Sequence, residues 1–338
     1  MKPSSRKIVP NNASELNLSG RSILVTGATG FIGANLCRRL LQHGAVVHIV
    51  RRPSSSMWRL NDIENKLVCH TADLADYNQL AETFDKSQPE AVFHLATERG
   101  TDLGARMGYV NTSILGAVHL INLLSEAPTV RMIASGSSTE YAKSDYAIPE
   151  NYPLLPDTLH GVVKASASLL YRQAVLEDRL SISQLRLFHV YGPWESSHRF
   201  LPTAINLALN KAPVPLTASL SRRDWIHVDD VVEAFLTAVQ YVSPPGIYNI
   251  ASGIEYSNEQ VLDILGDIIG NKIERIPGAM TVRPTDRAHR FADISLALRE
   301  IGWSPKYDLR TGIENTLEWN SQFPDAWQNE GAIAPIVF

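Results

Sequence analysis

The run Ile23-Leu-Val-Thr-Gly-Ala-Thr-Gly-Phe-Ile-Gly33 opens as an aliphatic, β-branched strand, breaks at three glycines spaced three apart, and then turns helical. At a helix N-terminus the first amides have no partner within the helix and the dipole is positive. Gly27, Gly30 and Gly33 would therefore let a pyrophosphate approach the bare backbone, with Thr29, Phe31 and Ile32 in the same turn. The residues from Ala34 to His43 keep apolar positions at helical spacing, and Gly44 is placed to end the helix. Val46-Val-His-Ile-Val50 follows as a second strand at the distance a βαβ unit requires. Glycines in such a turn can serve the backbone alone; the βαβ context selects a dinucleotide site.

Composition sets the outer bounds. The chain has 338 residues, 44% apolar and 20% charged, which suits one large globular unit or two interleaved ones. A net charge of −4 without a long basic run gives no support to nucleic-acid binding. Cys37 and Cys69 form neither a CxxC pair nor a metal-ligand cluster and read as buried thiols of a reducing compartment, so no metal is expected and the cytoplasm is the expected location. No stretch reads as a signal peptide or approaches a membrane span. Residues 1–19 read as a loose polar arm that touches little of the fold.

Further along, Val46–Val50 ends in Arg51-Arg52-Pro53 and three serines. An acidic residue at the end of that strand would bind the free 2′-hydroxyl of NAD. Guanidinium groups instead suit a phosphate, so this end favours NADP(H), with NAD(H) and a merely solvated basic strand end as the alternatives. Lys66–Asp73 reads as a third strand; Asp73, followed by Leu74, either accepts from an adenine amino group or caps the helix starting near Tyr77. Ala91–Ala96 is a fourth strand, so Leu95 and Ala96 should face the cofactor and Thr97 opens a loop over the site. A long helical stretch runs from Met107 to Glu126, Arg131–Ser135 is a fifth strand, a helix runs from His160 to about Asp178, and Ile182–Tyr191 is a sixth strand. This alternation implies an α/β fold with a parallel, doubly wound sheet.

The landmarks Thr26–Gly33, Asp73-Leu74, His94–Ala96, Asn111, Ser135–Tyr141, Lys164, Arg186–Pro193, Arg223–Asp230, Tyr248–Gly253, Arg283–Asp286, Ala292-Asp293 and Gly302–Pro305 come in an order that resembles the extended short-chain dehydrogenases/reductases. That group holds nucleotide-sugar epimerases, dehydratases and ketoreductases, and the likeness runs from about Ser22 to Trp319. The stretch from Val47 to Ser56 is similar to that of GDP-mannose 4,6-dehydratases, which use NADP. The resemblance implies a Rossmann-type domain over residues 20–192 and 224–252, and a smaller C-terminal α/β substrate lobe over 193–223 and 253–320. The tail 321–338 has no implied role. It also implies a homodimer, through the helices starting near Met107 and His160.

The same resemblance implies the chemistry. In the family a Tyr-x-x-x-Lys pair works with a hydroxyl residue from the end of the fifth strand: the phenol exchanges a proton with the sugar while hydride moves to or from nicotinamide. Here Ser137 takes the hydroxyl position and Lys164, which also holds the nicotinamide ribose, is the lysine, but the tyrosine position is His160. A phenol titrates near ~10 and an imidazole near ~6.5. A cationic Lys164 one helical turn away should push His160 lower still. Three readings stay open: His160 is the working acid or base, Tyr141 or another group replaces the phenol, or the redox step is weak or absent and the protein binds nucleotides, as a cofactor-binding regulator, or does different chemistry. Dehydratases carry an acid where this chain has Thr139, and Glu140 is displaced by one position. Thr97, Ser138, Thr139, His189, Arg199, Arg223 and Arg283 are the candidate contacts of a nucleotide-sugar substrate; a packed His189 and a surface Arg199 are the plainer alternatives. The expected activity is an NADP(H)-dependent 4-ketoreductase, with a 4-epimerase or dehydratase behind it.

Overall fold

The computed structural model describes residues 18–98, 103–218, 221–240, 243–282 and 289–328; Arg283 lies outside the described residues. β1 (Ser22–Thr26) leads into α1 (Phe31–Gln42), β2 (Val46–Arg51), β3 (Val68–Thr71), α2 (Tyr77–Ser87) and β4 (Ala91–His94). α3 (Leu103–Tyr109) passes through a π turn at Val110–Leu115 into α4 (Gly116–Glu126), β5 (Arg131–Ser137), α5 (Leu159–Leu176), β6 (Ile182–Leu187) and β7 (His189–Tyr191). α6 (Phe200–Leu209), β8 (Val214–Thr217), β9 (Arg222–His227), α7 (Val228–Ala238) and β10 (Ile247–Ile250) follow, then β11 (Glu255–Ser257), α8 (Asn258–Ile269), β12 (Arg275–Met280), α9 (Ser295–Ile301) and α10 (Leu309–Gln322).

Seven parallel strands form the main sheet in the order β10-β6-β5-β4-β1-β2-β3. Successive side chains point to opposite faces. Ile23, Phe93 and Ile133 pack with α1 and α7, while Leu24, Val92 and Met132 pack with α2, α4 and α5. The strand order reverses between β1 and β4, the place where open α/β sheets bind ligands beyond their carboxyl ends. The glycine turn, Leu95–Thr97 and Ser135–Ser137 share that edge. A three-stranded sheet β11-β9-β7, a two-stranded sheet β12-β8, and α6, α8 and α10 build a second core.

Four expectations change. The single strand expected over Ile182–Tyr191 is two: β6 stays in the main sheet, while β7 pairs with β9. Phe188 between them packs with Tyr141, Ile148 and Ala251, which turns the chain from one sheet to the other. Leu18 is fully buried, so the supposed arm is already part of the core by that residue. Cys37 is buried but Cys69 is exposed, because β3 is an edge strand with little packed over it. The run Arg106–Glu126 is, by length and composition alone, apolar enough to cross a membrane, contrary to the sequence reading. Its buried face, including Leu120, Ile121 and Leu124, packs on the sheet.

Candidate active site

The three glycines separate into two kinds. Gly27 has φ +72°, and a Cβ there would lie 2.5 Å from the Ala96 nitrogen and 2.6 Å from the Leu95 carbonyl carbon. A Cβ on Gly33 would strike the Gly27 carbonyl oxygen. Both are demanded by the protein's own packing. A Cβ on Gly30 meets only that same oxygen, at 3.1 Å. Gly30 is also the N-cap of α1, makes no side-chain cap, and has no acidic residue in the turn after it. The helix start at Phe31 and Ile32, with Thr29 in the preceding turn, thus fits a dinucleotide's diphosphate in charge and in space.

At the adenosine end, Arg52 Nη1 lies 2.8 Å from Glu98 Oε2, so a carboxylate from beyond β4 partly offsets the basic strand end. Arg51 stands against the largely exposed Cys69 thiol, which partial desolvation raises and that guanidinium pulls back down. Asp73 is not the cap of α2. Its Oδ1 accepts from the Ala75 amide at 2.9 Å, and Asp76 caps the helix by accepting from Gln79. Leu74 is buried, and its carbonyl lies 2.8 Å from His119 Nδ1.

α5 presents His160, Lys164 and Ser168 as a column, each one turn from the next. Thr158 caps the helix by accepting from the Gly161 amide at 3.0 Å. The helix start then comes so close to the turn after β5 that a Cβ on Gly161 would collide with the Thr139 carbonyl. Lys164 Nζ donates to the Ser135 carbonyl at 2.7 Å and to Ser135 Oγ at 3.0 Å. Burial pulls its ammonium down to about 8. Ser137 Oγ lies 2.8 Å from Thr139 Oγ1, while Ser138 is buried. The Thr97 hydroxyl is buried without a hydrogen-bond partner among the described residues, at the mouth of the same edge.

His160 packs edge-on against the Tyr109 ring, with centroids 6.2 Å apart. It is pushed down to about 4, first by burial, then by the charges of Lys164 and Arg199. The direction is the expected one; burial, which the sequence did not reveal, is the leading cause. Tyr141 cannot stand in for the missing phenol: its hydroxyl donates to Asn249 Oδ1 at 2.7 Å, and the ring is fully buried under Arg186.

Arg199 joins two halves of the site, because its charge acts on both His160 and His189. His189, lying against Trp225 with ring centroids 4.2 Å apart, is driven well below the usual histidine range by burial and then by Arg223, Arg199 and Arg290. Three guanidinium groups therefore gather around His189, and planar donors of this kind match phosphate oxygens. Arg199 also reaches the buried Glu195, with Nε 3.5 Å from Oε1, and Arg223 Nη1 donates to Asn258 Oδ1 at 3.4 Å. Sequence reasoning missed Arg290, Ser135, Ser168 and Glu98. Only Ser135 carried a local signal, since two residues before Ser137 on a strand lies the same face. Among the described residues no three His, Cys, Asp or Glu side chains are placed to hold a metal ion.

Fold and site define an α/β protein with a phosphate-type glycine turn and a serine, lysine and histidine gathered at the carboxyl edge of its sheet. The pattern of the NAD dependent epimerase/dehydratase family matches residues 23–251, and the chain belongs to that family. It is 27% identical to the dTDP-glucose 4,6-dehydratase of Haemophilus influenzae, over 88% of this chain and 97% of that one. The crystal structure of a Thermotoga maritima UDP-glucose 4-epimerase with UDP-glucose superposes with a TM-score of 0.82 at 25% identity, covering 89% of this chain and 99% of that one. The dTDP-glucose 4,6-dehydratase of Bacillus anthracis, in complex with NAD, shares the fold with a TM-score of 0.82 at 22% identity, over 92% and 99% of the two chains.

Proposed function

We propose that the protein oxidises and re-reduces C4 of a nucleotide-activated hexose, as a 4-epimerase, with Ser137, His160 and Lys164 as its catalytic set. The observation that carries this reading is the setting of His160, packed against the Tyr109 ring one helical turn before the buried Lys164, where burial and that charge favour the neutral imidazole. A ketoreductase must donate a net proton at every turnover, and an imidazole held near 4 is almost wholly unprotonated at neutral pH. Epimerisation takes a proton from the C4 hydroxyl and returns the same proton, so a neutral base suffices. This reading therefore displaces the 4-ketoreductase expected from sequence. Dehydration needs an acid at the Thr139 position, and the neighbouring Glu140 is turned inward and fully buried.

In this scheme His160 accepts the C4 proton, Ser137 orients the C4 oxygen, and Lys164 holds the ribose of the coenzyme and keeps positive charge beside the site. A bound nicotinamide dinucleotide would supply the hydride acceptor and donor. Arg199, Arg223 and Arg290 would hold the substrate diphosphate, and the two lobes meet around it. The Arg52–Glu98 pair supports NAD(H) over the NADP(H) favoured by the arginines alone, because a 2′-phosphate would face that carboxylate.

The test incubates the protein with UDP- and dTDP-hexoses and either coenzyme, and follows C4 configuration by NMR. Conversion of gluco to galacto configuration with NAD is expected, and Glu98→Gln should shift coenzyme preference toward NADP. A fall in rate in His160→Tyr would support histidine as the evolved base. A large gain on restoring tyrosine, with an inert parent, would sink the proposal.

A further inference from the structure

Behind the catalytic column lies a buried anion that the mechanism above does not use. Glu140, fully buried, closes a capping box: its Oε1 accepts from the Ser137 amide at 2.7 Å. Its Oε2 accepts from Arg186 Nε at 2.8 Å and from the Ser168 hydroxyl at 2.5 Å. Ser168 has one proton but also lies 2.5 Å from the side-chain amide of Gln184. With that proton given to the carboxylate, the amide must turn to donate its own N–H to the Ser168 oxygen. This accounts for a Gln184 nitrogen otherwise lacking a partner. Glu140 is then held by three donors from three elements: the end of β5, α5 and β6.

Its place relative to the site follows from helix geometry. Ser168 touches Glu140 and Lys164 is one turn earlier on the same face of α5, so the carboxylate lies on the ammonium's side of the helix and its charge acts on it. The charged and titratable groups facing Lys164 are Glu140, His160 from its own helix, and His94 at the end of β4. Both histidines are neutral at physiological pH, His94 being pushed to about 3 by burial and then by Lys164. Glu140 is the one anion in that set.

We propose that Glu140 is a positioning residue for the C4 chemistry: its carboxylate seats the Ser137 main chain and supplies the fixed negative charge that keeps Lys164 an ammonium. Arg186, almost fully buried beside it, donates its Nε–H to Oε2 and so fixes the orientation of the carboxylate. The proposal rests on the assignment of Ser137 and Lys164 to the reaction.

The test uses Glu140→Gln and, because that variant leaves Arg186 unpaired in the core, a paired replacement of Glu140→Leu with Arg186→Met. Buried ion pairs are commonly replaced by apolar pairs without loss of fold. The Lys164 ammonium is titrated by heteronuclear NMR in the full chain, with Lys164→Met to assign the signal. The expected result is a Lys164 titration moved down by about one pH unit in the folded paired variant, and about a tenfold lower kcat above that point with KM unchanged. An unmoved Lys164 titration in either folded variant overturns the proposal, as does a moved one with kcat intact. If the wild-type protein turns over no nucleotide sugar, the functional assignment fails while the titration still decides the role of Glu140 toward Lys164.

Discussion

His160 is where a single substitution changes what the site can do. Removing the imidazole with His160→Ala should lower kcat by about 10²–10⁴-fold, the usual worth of a positioned acid–base group. The pH dependence discriminates further. Because the imidazole is held near 4, activity should be flat from about pH 5 to about 7, with no inflection near ~6.5. It should fall as the pH rises through about 8, where Lys164 loses its charge. A kcat profile with an acid limb near ~6.5 would show that the imidazole is not held neutral. Stability carries the same sign. The unfolded chain binds a proton on His160 near ~6.5 and the folded one only near 4, so stability present above the first value is lost as the pH falls toward the second. His160→Tyr should flatten that part of the Tm profile, though His94 and His227 are depressed in the same direction. The sequence proposed Ser137 from its offset to Tyr141, and His160 and Lys164 from their spacing of four, because both offsets are local and match the family's pattern. Ser168, Arg290 and Glu98 were not readable, because each owes its place to contacts between elements distant in the chain.

At the scale of elements, the strand–turn–helix at Gly27–Gly33 was legible in full, since glycine spacing and strand composition are local properties. What the sequence did not show was which glycine serves the fold and which the ligand. The geometry separates them by experiment. Gly33→Ala puts a methyl group into the Gly27 carbonyl and should cost about 1–3 kcal/mol of stability, read as a lowered Tm. Gly30→Ala meets only a 3.1 Å contact, so Tm should stay near that of the parent while the added methyl weakens coenzyme binding roughly tenfold or more by calorimetry. Unchanged coenzyme affinity in Gly30→Ala would mean that the diphosphate does not rest on this turn. The break between β6 and β7 was illegible for a different reason. The two strands lie only one residue apart, and the run mixes apolar residues with Ser183, Gln184, Arg186 and His189 throughout, so no change of period marks the point at which the chain leaves one sheet for the other.

At the scale of the molecule, one face is left with apolar side chains that its own fold does not cover. Val162, Leu169 and Leu176 stand seven residues apart on α5 and are exposed, Leu169 by 57% and Leu176 by 61%. A seven-residue apolar stripe is the pattern of a helix that packs against another helix. Met107, Val110 and Leu115, on the run that leads into α4, are exposed as well, and α4 packs beside α5. Two copies meeting through these helices would cover both stripes in a four-helix arrangement, and this gives the apolar run Arg106–Glu126 a role other than spanning a bilayer. Such a contact would also bear on the proposed catalysis, because α5 is the helix that carries His160 and Lys164. Leu169→Glu buries a carboxylate at the centre of such an interface. It should turn a dimer into a monomer in light scattering, weaken self-association by roughly a hundredfold, and lower kcat without a matching loss of coenzyme binding. A wild-type chain that runs as a monomer at micromolar concentration, or a Leu169→Glu variant with the parent's mass, would remove the second copy from the explanation and leave the stripe to another partner.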